Sequence, residues 1–350
     1  MVEINDIRVQ SEFSNISFSK FKKSEVKKEL TNNLLKGHIE PACHWCAEFV
    51  CAGHFSDLWD IFLLFFGKHI HVGNPKILIY LQKRFDLFKS IMSNSDYITD
   101  LHARNNDKLR ELFAEIVCVL CLSKKQYSIE PVKINRKEEF DITNLSEHLV
   151  ADSTKYALYV YKTSDPKELF IAFNEFIYNI EQKNCRKASW WIEWLLEYDL
   201  ICRKKKQQSK CEERFEYNVL EKHRRDIVWI IWDIFFYFAN LNDDRFVINV
   251  LSSLLDIFCI KYTTACCKKR RFLLYFGVTL FTEHINRNEP IIADKTVIPN
   301  VIANINQIYK DIKKNEESPN MEYLFSNVDD NDNMEKSKKR IEYVNSISLS

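Results

Sequence analysis

Apolar residues recur every three or four positions along most of this chain, which predicts a series of amphipathic helices. The clearest example spans 107–122, where one helical face carries Leu109, Leu112, Phe113, Ile116, Val117 and Leu120. Gly37 and Gly53 mark helix ends, Pro41 suits a first helical turn, and 73–75 breaks the chain again. The pattern predicts helices at 24–37, 41–53, 58–66, 76–90 and 107–122.

A second run of helices is predicted at 154–161, 166–183, 187–205, 212–240, 245–261, 267–286 and 301–314. Between the two runs, 123–150 is polar and contains Pro131, which indicates a linker or excursion. We therefore expect an all-α protein with a flexible arm at 1–23, a first unit at 24–122 and a second unit at 151–314. The last stretch, 315–350, is highly charged and poor in apolar residues, and is predicted to be disordered.

Composition favours the same fold class. Only 5 Gly and 7 Pro occur in 350 residues, too few for the turns of sandwiches and barrels or for glycine-rich phosphate loops. The net charge is +1, so nucleic-acid binding would need a local basic surface. Eleven Cys lie within apolar helical patterns, and the polar N-terminus lacks the apolar run of a signal peptide. We expect reduced thiols in a cytosolic or nuclear protein with no membrane span.

A short internal repeat is visible in the aromatic segments. ACHW at 42–45 is followed by WDIF at 59–62, and ASWW at 188–191 is followed by WDIF at 232–235. Repetition of a supersecondary unit indicates two related helical bundles. Trp45, Trp59, Trp191 and Trp232 are accordingly predicted to lie in the core or in a subunit interface.

The first copy also carries a family pattern. Gly37, then Ala42, Trp45 and Ala47, then Gly53 eight residues past Trp45, and finally Ile70, Gly73 and Pro75 follow one another within 34–75. This region resembles the C-terminal helical oligomerisation (collar) domain of the replication-associated recombination AAA+ ATPases, which are relatives of clamp loaders. His71 stands where the family has glycine, and Gly73 where it has alanine. No Walker A motif occurs, so the resemblance implies a collar without its ATPase module.

Several groupings with possible chemistry are better explained as structure. Cys43, Cys46, Cys51 and His54 have the residue types of a zinc site, but Cys51 points about 140° from Cys46 around a helix. Cys118 and Cys121 lie near a helix C-terminus, the wrong end for lowering a thiol pKa. Asp60 and Asp233, at matching positions of the repeat, are expected to cap helices or to pair with Arg or Lys. We predict no catalytic residue, no metal and no cofactor.

Basic residues are concentrated in the second half of the chain. The gap from Trp191 to Trp232 is 41 residues, against 14 between Trp45 and Trp59, which defines a basic insertion. Candidate phosphate contacts are Arg203, Lys204, Lys205, Lys206, Lys222, Arg224, Arg225, Lys268, Lys269, Arg270 and Arg271.

The sequence therefore favours a non-enzymatic helical scaffold or oligomerisation protein that associates with itself or with protein partners. A role as an accessory in DNA replication or repair, with a basic surface touching nucleic acid, is the leading hypothesis. The abundance of Lys, Asn, Ile, Phe and Tyr fits an AT-rich genome such as that of a large DNA virus, in which case the host cell or the virion becomes the location. A structural component of a virus particle and a helical enzyme of unfamiliar type are the two alternatives.

Overall fold

The computed structural model describes residues 2–317, apart from 95, 96, 98, 137, 139, 141–144 and 208. This part of the chain is helical and contains no strand, which confirms the predicted all-α class. The helices are α1 (Lys23–Lys36), α2 (Ile39–Cys51), α3 (Phe55–Phe65), α4 (Lys76–Ser93), α5 (Asp107–Leu122), α6 (Phe170–Glu181), α7 (Cys185–Lys204), α8 (Val228–Leu241), α9 (Arg245–Phe258), α10 (Cys266–Lys269), α11 (Arg271–Thr282) and α12 (Val297–Lys313).

Several helix ends follow from local chemistry. Gly37, with φ of 73°, closes α1 in the left-handed conformation that glycine adopts without steric cost. The side chain of Asn106 caps α5 by accepting a hydrogen bond from the Leu109 N–H at 3.1 Å. The carboxylate of Asp244 does the same for α9. Beyond α3, residues Phe66–Ile70 form a π-helical turn that the sequence pattern does not reveal.

The single helix predicted at 212–240 is wrong, because α8 begins only at Val228. Upstream, the Cys211 N–H donates to the Arg225 carbonyl at 2.9 Å, and the Arg214 N–H donates to that of Arg224 at 3.0 Å. These bonds fold 211–225 back on itself as a loop. A similar correction applies at 154–161, where only the short 3₁₀ turn Tyr156–Tyr159 forms.

The N-terminal segment is packed against the protein, in contrast to the predicted flexible arm. Phe13 and Phe18 are completely buried, and the Arg8 guanidinium lies 4.7 Å and 4.8 Å from the centres of their rings. Asp6 pairs with Arg8 at 2.6 Å and also accepts a hydrogen bond from the Glu317 N–H. Because the charged groups satisfy one another, a segment rich in polar residues is held in place.

The C-terminal helix belongs to the first bundle, not to the second unit in which the sequence placed it. Helix α12 packs against α2 and α5. Its Tyr309 is fully buried, with the Arg110 guanidinium 4.1 Å from the centre of its ring. The predicted disordered tail, 315–350, lies almost wholly outside the described residues; only 315–317 are described, and they contact the N-terminal segment.

The two runs of helices have similar neighbours. In the first, α1 and α2 form a hairpin and α5 packs on α2; in the second, α6 and α7 form a hairpin and α11 packs on α7. Helices α4 and α9 join the two bundles. Trp59 and Trp232 are both buried, and each makes an edge contact with the Phe three residues later, at 6.1 Å and 5.8 Å. Trp45 is half-buried whereas Trp191 is buried, and the internal repeat remains a prediction.

The segment that follows α5 runs beside the π-helical turn. The Gln126 N–H donates to the His69 carbonyl at 3.0 Å, and the Ser128 N–H donates to that of Lys68 at 2.9 Å. A Cβ atom on Gly73 would lie 2.9 Å from the Lys124 carbonyl oxygen, so this approach needs glycine. Within the described residues, no helix is long and apolar enough to cross a membrane.

Candidate functional site

Three basic segments that are separate in sequence meet around Asp226. The Tyr262 hydroxyl donates to the Asp226 carboxylate at 2.9 Å, and the Thr264 hydroxyl donates to it at 2.7 Å. Asp199, near the end of α7, lines the same small cavity as Asp226 and Thr264. The C-terminal end of α7, the turn around 221–226 and the segment 262–268 are therefore neighbours.

Five of the eleven predicted contact residues are occupied by acidic partners. The ion pairs are Arg203–Asp199 at 2.8 Å, Arg224–Glu213 at 3.7 Å, Arg270–Asp60 at 3.4 Å, Arg271–Glu193 at 3.1 Å and Lys268–Glu197. Glu193 and Glu197 are buried on α7, so their cations bind α10 and α11 to α7. Burial raises the pKa of Glu193, although Tyr275 and Arg271 both stabilise its charged form.

The other six are free. Lys204, Lys205, Lys206, Lys222, Arg225 and Lys269 are exposed, and over the described part of the chain their side chains form no ion pair or hydrogen bond. Lys210, beside the Cys211–Arg225 backbone bond, is exposed as well. All except Lys269 lie on the end of α7 or on the insertion that follows. We call Lys204, Lys205, Lys206, Lys210, Lys222 and Arg225 the insertion surface.

A buried arginine fixes the insertion to the helical core. Arg214 is completely buried and binds both oxygens of Asp165 at 2.8 Å. It also binds Asp233 of α8 at 2.8 Å, and the Tyr217 hydroxyl donates to the second oxygen of Asp233 at 2.5 Å. The expected pairing of the repeat aspartates is thus observed for Asp233. Sequence reasoning missed Arg214, since it is one of many basic residues in the insertion.

One acidic group near the insertion surface has an altered pKa. Asp199 faces Asp226 across the small cavity, and burial raises its pKa to about 6, with a further contribution from the Asp226 charge. The neighbouring Arg203 opposes this rise. A carboxylate that titrates near neutral pH therefore lies beneath the basic residues.

The cysteines of 43–51 and His54 pack inside the protein. Cys43, Cys46 and Cys51 are buried in α2, and desolvation raises the pKa of the Cys46 and Cys51 thiols. His54 contacts the Ile16 carbonyl through Nε2 at 3.0 Å. Among the described residues, no three or more His, Cys, Asp or Glu side chains converge as a metal site.

Three of the four tryptophans singled out by the sequence lie in the core: Trp59, Trp191 and Trp232. The half-buried Trp45 makes an edge contact with Phe21, an exposed residue, at 5.6 Å between ring centres. Compared with known proteins, the chain matches no family model, no curated protein and no solved structure.

Proposed function

We propose that the protein is a non-enzymatic helical scaffold that binds the phosphate backbone of a nucleic acid through the insertion surface. The observation that supports this is the set of six exposed cations that have no acidic partner among the described residues, carried on the end of α7 and on the insertion that Arg214 anchors to the core. Cations that are already paired must lose a partner before they can bind phosphate, whereas free ones need only release counterions. Anchoring lowers the entropic cost of presenting them together.

The residue types of the insertion surface indicate binding without sequence specificity. Five of its six members are Lys, a flexible point charge that contacts phosphate, and only Arg225 is suited to bidentate contact with a base. Phe215, 71% exposed, lies under the Arg224 guanidinium at 5.9 Å in the same insertion. An exposed ring beside cations offers an unpaired base a stacking partner, which favours single-stranded nucleic acid.

The test is a salt series of fluorescence anisotropy titrations with labelled single-stranded and duplex DNA. Lys204, Lys205 and Lys206 are replaced by Ser together, which removes three free charges and no described contact of their side chains. The control replaces Lys28, Lys36 and Lys108, three exposed lysines on α1 and α5, by Ser. We expect the plot of log K against log salt to become shallower by about 2–3 for the insertion variant alone. Equal slopes for both variants contradict the proposal.

Self-association is a second proposal, supported by an exposed apolar patch. Leu158 is 60% exposed and Tyr159 is 72% exposed, and the Tyr159 ring stacks on Tyr237 of α8 at 5.9 Å. An exposed aromatic ring beside an exposed aliphatic side chain is a combination that occurs in protein interfaces. Light scattering across a concentration series is the test, with Leu158→Ser/Tyr159→Ser as the variant. A wild-type chain that stays monomeric at high concentration argues against self-association.

The more specific hypotheses remain predictions. A collar-like role in replication or repair rests on the 34–75 resemblance, and the virus-particle component and the unfamiliar helical enzyme remain alternatives. A protein that binds no DNA at low salt but forms large assemblies favours the particle component. A cytosolic or nuclear location is likewise a prediction from cysteine usage.

A further inference from the structure

A cleft of about 540 Å³ opens between the two bundles, and none of its lining residues belongs to the insertion surface. Its first wall is formed by α1 and α3, with Lys27 and Trp59 among the lining residues. The second wall is the segment 260–273, which connects α9 to α11. Ligand sites are often found at junctions between structural units, and the volume lies within the range of about 300–1,000 Å³ that small-molecule sites occupy.

The cleft has an excess of positive charge. Lys27, Lys261, Lys269 and Arg270 line it, against Asp57 and Asp60. Both aspartates already have cationic partners, since Asp57 binds Lys23 at 3.0 Å and Asp60 binds Arg270 at 3.4 Å.

Three lining lysines therefore have no carboxylate partner within the described part of the chain. Lys27 and Lys269 are exposed and form no side-chain hydrogen bond or ion pair with any described residue, whereas Lys261 binds the Ser56 hydroxyl at 2.9 Å. Lys27 belongs to α1, Lys261 follows α9 and Lys269 ends α10, so the fold brings α1 next to a segment more than 200 positions later in the sequence.

Apolar groups line the rest of the cleft. Leu63, Leu64, Phe272 and Leu273 contribute to it. Trp59 is a further lining residue. The site thus combines several cations with an apolar wall.

We propose that this cleft binds a phosphate-bearing small molecule of about nucleotide size. The phosphate lies among Lys27, Lys261 and Lys269, and the less polar part of the ligand lies against the side formed by Leu63, Leu64 and Phe272. This inference is independent of the insertion surface, because the two share no residue. It also assigns Lys269, which alone in the segment 268–271 has no ion-pair partner among the described residues, to a different site from the unpaired cations of the insertion surface.

A thiol in the cleft provides a reporter. Cys266 lines the cleft and is half-buried, next to the buried Cys267. A ligand that fills the cleft covers Cys266 and slows its alkylation by iodoacetamide, which peptide mass spectrometry measures residue by residue. Cys185, which is also half-buried but does not line the cleft, is the internal control.

The experiment uses ADP as the probe, with adenosine and pyrophosphate as separate arms, and measures both affinity by calorimetry and Cys266 protection. Lys261→Ser/Lys269→Ser is the test variant, and Lys204→Ser/Lys205→Ser removes the same charge from the insertion surface. We expect ADP to bind, to protect Cys266 but not Cys185, and to bind the test variant at least tenfold more weakly. The control variant is expected to bind as the wild type does.

Three results overturn the inference. They are no ADP binding at millimolar concentration, binding without protection of Cys266, and equal affinity of the test and control variants. Adenosine binding as tightly as ADP contradicts the phosphate assignment, and pyrophosphate binding as tightly as ADP contradicts the role of the apolar wall. DNA binding that is lost in the Lys204–Lys206 variant, while ADP binding persists, separates this site from the proposed nucleic-acid surface.

Discussion

Arg214 anchors the insertion, and replacing it by Met tests whether that anchor works as described. Met has a similar apolar stem but no charge, so the change leaves the carboxylates of Asp165 and Asp233 without their cation. The Asp165 side chain is completely buried and that of Asp233 is 14% exposed. Removing one partner of a buried ion pair costs about 3–5 kcal/mol, mainly because the remaining charge stays desolvated. We expect the free energy of unfolding to fall by about that amount.

The assay is urea denaturation followed by circular dichroism, with limited proteolysis of the insertion as a second readout. Arg287→Met is the matched control, because Arg287 is 53% exposed and pairs with Asp244 at the surface, where ion pairs contribute about 0–1 kcal/mol. Adding Asp165→Asn and Asp233→Asn to Arg214→Met removes the uncompensated charges and restores part of the loss. A loss below about 1 kcal/mol for Arg214→Met, or no recovery in the triple variant, refutes the reasoning.

Three further outcomes are expected. In Gly277→Ala, the new Cβ would meet a Phe235 ring atom at 2.4 Å, so thermal unfolding should show a loss of about 1–3 kcal/mol that Phe235→Leu relieves. Burial raises the Asp199 pKa to about 6, so the native protein binds more protons at this group than the unfolded chain does. The free energy of unfolding therefore falls as pH rises through 6. Asp199→Asn should raise the free energy of unfolding by about 1–3 kcal/mol at pH 7.5 and change it little at pH 4. The neighbouring Cys267 and Arg270 lower the Cys266 pKa to about 6, whereas burial raises that of Cys259 to about 12. Alkylation should therefore become half-maximal near pH 6 for Cys266 but not for Cys259.

Helical periodicity was sufficient to predict where most helices lie. The range Asp107–Leu122 matches its prediction fully, since six apolar positions on one face have a single way to be buried together. Gly37 marked the end of α1 because its left-handed backbone is a local property of the chain. Such local signals need no knowledge of the tertiary structure.

The segments that depend on distant contacts could not be predicted in this way. The sequence pattern predicts the loop 211–225 as part of a long helix. The pairing of Arg214 with Asp165, 49 positions earlier, instead holds it in another conformation. The sequence predicts the N-terminal segment as a flexible arm, but Arg8, Phe13 and Phe18 hold it against the core. In both cases the tertiary contacts of buried side chains outweigh the weak local preference.

The basic composition of three segments predicted the candidate surface, but it identified only some of the residues that form it. Charge runs identified the three basic segments, but nothing local distinguishes Lys268, which binds the buried Glu197, from the neighbouring Lys269, which pairs with no described residue. Ion pairing is decided by which acids lie opposite: α7 supplies Glu197 for Lys268 and Glu193 for Arg271, whereas α3 supplies Asp60 for Arg270. The cleft between the bundles was not anticipated, because Lys27 lies more than 200 positions from Lys261 and Lys269.

The most direct test of the proposed function is hydrogen–deuterium exchange of the full chain with and without single-stranded DNA at low salt. We expect slower exchange in peptides covering 202–226, the end of α7 and the insertion, and little change in α1 or α12. Protection that is absent there, or that appears mainly on another face of the protein, contradicts the claim that the free cations of the insertion bind nucleic acid.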